Sequence, residues 1–244
     1  MLRELPKPYV FVPALTRAQQ QLTGRLMRSE YQVEPIQMFE LAARHLAHLS
    51  RLLFLKGKVD GKGVLVLAGT GSKGYIALNA ARKLHQWGAI VRIALAAPFE
   101  QFHNHTAHML RSVQRQGIII VEALPKTSVL IIDGMVGNNE NGAPMPGSAE
   151  LSDWANRLLT PIISINIPTG LEADTGVVHP HCVRASATLA IGLPKVGLLK
   201  DSSKPMTGEL YLGDIGIPPA LYASPGIDLN VGHIFSESDI VRLR

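Results

Sequence analysis

Residues 64–84 read VLVLAGTGSKGYIALNAARKL. The start is an apolar run, the middle a glycine-rich turn, and the end has helical spacing. A strand that passes through a glycine turn into a helix is the repeating unit of a parallel α/β sheet. Gly69, Gly71 and Gly74 form a G-x-G-x-x-G at that turn. Glycines there allow a tight turn and close backbone approach, and the amides that open the helix favour an anion. The same spacing also serves a tight turn with no ligand, so its meaning depends on the rest of the chain.

On the C-terminal side the alternation continues. IVRIALAA reads as a second strand, FHNHTAHMLRSVQRQG as a helix closed by glycine, and IIIVEAL and SVLIIDGM as two more strands. SAELSDWANRLL is a helix and PIISINIP a strand; ASATLAIGL and GELYLGDIGI are the later strand candidates. On the N-terminal side two helices come before the sheet. Thr16 suits the N-cap of the first. Pro35 suits the first turn of the second, with Glu34 at the positive end of its dipole and Gly57 as its stop. The expected fold is a Rossmann-like three-layer α/β/α sandwich with a mostly parallel sheet. It is read as a single domain over residues 1–244, with residues 1–57 a helical segment packed on it.

Composition narrows the function. Hydrophobic residues make up 46% of the 244 and charged residues 18%, enough to build a large core. The formal charge of +5 is interspersed with acidic residues, which favours anionic partners such as phosphates. No basic cluster or nucleic-acid motif accompanies it, so nucleic acid is disfavoured. The one cysteine, Cys182, has no internal disulfide partner, and a reducing compartment fits. No apolar run reaches spanning length and the start does not read as a secretory signal. The expectation is a soluble, cytoplasmic protein with no membrane partner.

Three loops follow strands. The first holds Gly69, Gly71, Ser72, Lys73, Gly74 and Tyr75. It lacks two features of common nucleotide sites. Tyr75 stands where a P-loop has lysine, and the second strand ends in ALAAPFE, without the acidic residue that would bind a ribose. In the second loop Asp133 ends an apolar strand, where a carboxylate either points into the ligand crevice of such a fold or caps its own turn. The stretch from Gly134 to Gly147 is long and rich in Gly, Asn and Pro, as functional loops often are. The third loop is SINIPTGLEADTG, with Asn166, Pro168, Thr169, Gly170 and Asp174. If the three strands are neighbours, these side chains converge.

Together MFELAAR, AGTGSKGYIALNAARKL, LIIDGMVG, SINIPTGLEADTG, ATLAIGLPKVGLL and GELYLGDIGIP resemble the NAD(P)H-hydrate epimerase family, also called the YjeF N-terminal domain. The order and spacing match from about Thr16 to the C-terminus. The resemblance implies a Rossmann-like homodimer that interconverts the R and S hydrates of NADH and NADPH and holds a potassium ion. It points to an NAD(P)-like or AMP-like ligand. The site residues it implies are Gly69, Gly71, Ser72, Lys73, Gly74, Tyr75, Gly137, Pro168, Thr169, Gly170, Asp174 and Lys195. Asp133 and Thr169 are the remnant of the potassium site.

The chain departs from the family pattern where the chemistry lies. The family loop carries two asparagines and an aspartate; here those positions are Ser72, Lys73 and Ile76, and Tyr75 replaces a glycine. The family's proposed catalytic aspartate falls on Asn166, and an amide cannot act as a general base near neutral pH. Lys73 falls on the potassium-ligand position, so its ammonium is expected to fill or border that site and pair with Asp133; the alternative is a lysine turned to solvent. Tyr75 either packs in the fold or stacks on a ligand ring.

Other features carry less. His103, His105 and His108 give H-x-H-x-x-H, which zinc could use, yet they open what reads as a surface helix. His179 and His181 flank a proline in a turn. Lys195 is either a surface lysine or a phosphate contact. Three readings follow: a divergent family member that binds a nucleotide with epimerisation lost or altered; an active epimerase using Asp133 or Asp174 as its base; and a dimeric interaction scaffold.

Overall fold

The structure, a computed structural model, describes residues 5–125, 127–136 and 142–244. Among these, eight strands form one sheet: β1 (Gly63–Ala68), β2 (Ile90–Leu95), β3 (Ile119–Ile120), β4 (Leu130–Gly134), β5 (Ile162–Ile165), β6 (Ala187–Ile191), β7 (Glu209–Gly213) and β8 (Ile240–Arg242). Their order is β3-β2-β1-β4-β5-β6-β7-β8. Every pairing is parallel except that of β7 with β8. This is the Rossmann-like α/β architecture expected from the alternating strands and helices.

The period-two alternation of the strands divides the core between the two faces. In β1, Val64, Val66 and Ala68 join one cluster, whereas Leu65 and Leu67 join the other. Helices α1 (Arg17–Ser29), α2 (Pro35–Leu53), α3 (Ser72–Gln86) and α4 (Asn104–Arg115) contribute buried residues to the first cluster, and α2 and α4 both pack on α3. On the second face α5 (Pro146–Asn156) contributes Leu151 and Ala155.

The helix ends follow their local chemistry. Thr16 Oγ1 accepts from the Gln19 amide at 3.2 Å while Gln19 Oε1 accepts from the Thr16 amide at 2.9 Å, a capping box that starts α1. Pro35 opens α2 at a position where no N–H is needed. Gly88 and Gly117, with φ of +94° and +83°, close α3 and α4, the latter as the sequence predicts.

One strand reading changes, and one strand has no counterpart in the sequence reading. Only Ile119 and Ile120 of IIIVEAL pair, because the segment lies at the sheet edge with β2 as its single neighbour. The C-terminal strand β8 has only three residues, too short for a periodicity signal, and its antiparallel pairing with β7 supplies the register.

Candidate functional site

β1, β4 and β5 are consecutive in the sheet, so the three loops named from the sequence leave from adjacent carboxyl ends. At those ends of β1, β2 and β4 lies a cleft of about 510 Å³. The first loop supplies its wall with Gly69, Thr70, Gly71, Ser72 and Lys73. Opposite stand Pro98 and Gln101, and Met145 to Ser148 at the start of α5.

The three glycines of the first loop have different tasks. A Cβ on Gly69 would lie 2.0 Å from Met135 O, and one on Gly74 would lie 1.8 Å from Gly69 O. Both glycines therefore exist for backbone contact within the fold. A Cβ on Gly71 would meet nothing within 4 Å, which leaves its backbone open to the cleft. The first turn of α3 begins there, and its unpaired amides are the cleft's built-in positive charge.

Beneath the cleft floor, Lys73 and Asp133 form a closed ion pair at 3.2 Å, with the two side chains 2% and 0% exposed. Asp133 stands at the end of β4, in register with Ser164 of β5. Five donors converge on its carboxylate. Oδ2 accepts from Lys73 Nζ at 3.2 Å, Ser164 Oγ at 2.8 Å and the Thr169 amide at 2.9 Å. Oδ1 accepts from Thr169 Oγ1 at 2.6 Å and the Met135 amide at 3.1 Å. Burial alone raises this carboxyl, but the Lys73 charge and the Thr169 and Ser164 hydrogen bonds outweigh it and hold it below the ordinary carboxylate range. Burial lowers Lys73, and Asp133 opposes that shift. With five donors on the carboxylate, the ionised pair is the form this geometry stabilises.

Lys73 Nζ also donates to Ile167 O at 2.6 Å and to Thr169 Oγ1 at 3.2 Å. A carbonyl, a hydroxyl and a carboxylate are the hard oxygen donors that a monovalent cation takes. Here the ammonium already sits among them, and a potassium ion does not fit beside a like charge in the same shell.

Asn166 follows β5 with φ of +67° and is 5% exposed. Asn and Asp are the residues that best tolerate this left-handed conformation, so the turn keeps its shape with either. Asp174 Oδ1 accepts from the Arg17 amide at 2.6 Å, which satisfies a free donor at the start of α1 rather than facing the cleft. Pro168 and Gly170 are buried in the third loop and do not line the cleft. Gly137 lies outside the described residues.

Tyr75 is 2% exposed; its ring lies 5.8 Å from that of Phe39 and its hydroxyl donates to Glu40 Oε1 at 3.2 Å. It packs α3 against α2 and borders a smaller pocket of about 260 Å³ that adjoins the cleft at Thr70, Gly71 and Ser72. Lys195 is at neither the surface nor the cleft. It is fully buried beyond β6, with Nζ 2.9 Å from Leu193 O and 3.5 Å from Ile191 O, and burial lowers it to about 7. The three histidines at 103, 105 and 108 are exposed, and among the described residues no three or more His, Cys, Asp or Glu side chains are grouped to hold a metal ion. His181 contacts Asp153 at 2.7 Å instead.

The stretch from Gly134 to Gly147, singled out as a functional loop, does supply Met145 to Gly147 to the cleft wall; nothing in the sequence pointed to Gln101.

Residues 35–197 match the family described as YjeF-related protein N-terminus. The chain is 38% identical over 210 residues to an NAD(P)H-hydrate epimerase of Dehalogenimonas lykanthroporepellens, covering 85% of this chain and 83% of that one. It is 29% identical over 221 residues to a bifunctional NAD(P)H-hydrate repair enzyme of Moorella thermoacetica, covering 86% of this chain and 42% of that longer one. In fold it is similar to the crystal structure of yeast ynu0, with a TM-score of 0.78 at 19% identity, covering 95% of this chain and all of that one.

Proposed function

The chain belongs to the YjeF-related N-terminal family, and on that premise we propose that it binds a nucleotide in the cleft between β1 and α5, with epimerisation of NAD(P)H hydrates lost or altered. The relatives' names point to the ligand class, the hydrates of NADH and NADPH. The amides at the start of α3 and the open backbone of Gly71 suit a phosphate. Ser72, Gln101 and Ser148 add neutral hydrogen-bonding groups along the walls.

One observation carries the loss of epimerisation: no described residue lining the cleft is acidic. Moving a proton on a hydrated nicotinamide needs a base that can reach it. The third loop carries an amide at Asn166, a buried residue outside the cleft lining. The two carboxylates nearest to that role are engaged elsewhere, Asp133 by five donors and Asp174 at the start of α1. The Lys73 ammonium supplies internally the charge that a bound cation would bring.

Thermal shift with NAD, NADP, ADP-ribose and AMP tests the binding. A ligand of the native state raises the melting temperature by mass action. Ser72→Asp places a carboxylate at the start of α3, where it favours the helix but repels an anion in the cleft. The expected result is a shift with at least one of the four that Ser72→Asp abolishes. No shift with any of them, or an equal shift in the variant, contradicts the reading.

A further inference from the structure

A second cavity, of about 340 Å³, opens at the carboxyl ends of β6 and β7. In the sheet, β4 and β5 separate it from β1, and it shares no lining residue with the cleft. Its walls are mostly apolar, formed by Ile217, Val231, Ile234 and Phe235. Two polar side chains line it nearer the sheet, the buried Tyr222 and the half-buried Asp214; His233 and Ser236 are exposed at the rim.

Tyr222 is 3% exposed, and its hydroxyl makes no hydrogen bond to any described residue. Burial pushes the phenol far above its ordinary range and the Asp214 charge adds to this, so the group remains an O–H donor. The oxygen is not among the sealed, partnerless polar atoms of the described residues; it faces the cavity and can donate to what enters it. Gly192 keeps the space beneath it open. A Cβ there would come within 3.2 Å of the Tyr222 hydroxyl and 3.0 Å of Ile217 Cδ1, and φ is +67°. Asp214 Oδ1 accepts from the Gly216 amide at 2.8 Å, while Oδ2 accepts from no described residue. The cavity thus offers a donor and an acceptor above an apolar slot, with a negative charge that repels anions. Cavities of this size, mostly apolar with a few convergent polar groups, are the usual form of small-molecule sites.

We propose that this cavity binds a small, planar, uncharged ring bearing a carboxamide-like edge. The ring lies among Ile217, Val231, Ile234 and Phe235. The carbonyl accepts from Tyr222 and the amide N–H donates to Asp214. The site is independent of the nucleotide cleft.

Benzamide is the test probe, with benzoate and benzylamine as charge controls, followed by amide resonances of Gly192 and Gly232 in the full chain. The expected result is benzamide binding in about the millimolar range, as suits so small a ligand. Tyr222→Phe keeps the shape and removes only the hydroxyl, so binding should weaken about 5- to 10-fold. Benzoate should not bind, and benzylamine should bind more weakly than benzamide. The proposal is overturned if benzamide leaves those resonances unmoved, if Tyr222→Phe binds it equally well, or if either control binds as tightly. Shifts confined to Gly69 and Gly71 would place the probe in the cleft and also overturn it. The two sites report through separate residues, so failure here leaves the nucleotide reading standing.

Discussion

Lys73 Nζ and Asp133 Oδ2 lie 3.2 Å apart with both side chains sealed from solvent, and the lysine comes from the very loop whose glycines frame the cleft. A charge pair in that position ties α3 to β4 directly beneath the cleft. It also makes the site's net charge a property of the chain itself.

Removing one partner of a buried pair strands the other charge. Lys73→Met is therefore expected to lower stability by about 3–5 kcal/mol, read from urea unfolding. Lys73→Asn removes the ammonium but leaves the oxygens of Asp133, Thr169 and Ile167 facing the vacated space. Its melting temperature should rise with potassium chloride relative to choline chloride at equal ionic strength, because a cation that binds only the native state stabilises it. The native chain should show no such difference. Equal responses of the two proteins would mean that Lys73 does not stand in for a bound ion.

The first-loop glycines should separate cleanly. Gly74→Ala drives a Cβ into Gly69 O, a backbone atom that cannot rotate away, and should cost about 3 kcal/mol or more. Gly71→Ala meets open space and should change stability by no more than about 0.5 kcal/mol. It should nevertheless weaken nucleotide binding, since the added methyl stands where a ligand approaches. Denaturant midpoints and thermal shifts on the same two variants check both statements.

Lys195 gives the fold a pH dependence of known sign. Burial lowers its folded value to about 7, whereas in the unfolded chain it titrates near the ordinary value of 10.5. Between these limits the unfolded state binds more protons, so stability rises with pH, by up to about 1.4 kcal/mol per unit. Below pH 7 the penalty is complete and constant. Lys195→Met removes that penalty. The variant should melt above the native chain at pH 6, and the gap should close as pH rises toward 10. A gap that stays level from pH 6 to 10 contradicts this account.

The sequence made some of this legible and hid the rest for physical reasons. Alternating strands and helices gave the sheet, because parallel strands buried on both faces read as continuous apolar runs. The edge strand at Ile119–Ile120 and the three residues of β8 could not be read, since their pairing depends on neighbours rather than on local pattern. Lys73 was legible as a departure from a known pattern, but its burial was not; helix α3 and the third loop had to be brought together first. Lys195 and Asp174 show the opposite limit. Their positions after strands pointed to the cleft, yet one is swallowed by the core beyond β6 and the other caps a helix from the N-terminal segment. Spacing along the chain does not say which side of a loop faces solvent.

Incubating the purified protein with separated R and S hydrates of NADH at neutral pH, and following their interconversion, tests the central claim most directly. No acceleration over the spontaneous rate is expected, and Asn166→Asp is the substitution that returns a carboxylate to the third loop without disturbing the turn. Rapid interconversion by the unaltered chain would contradict that claim.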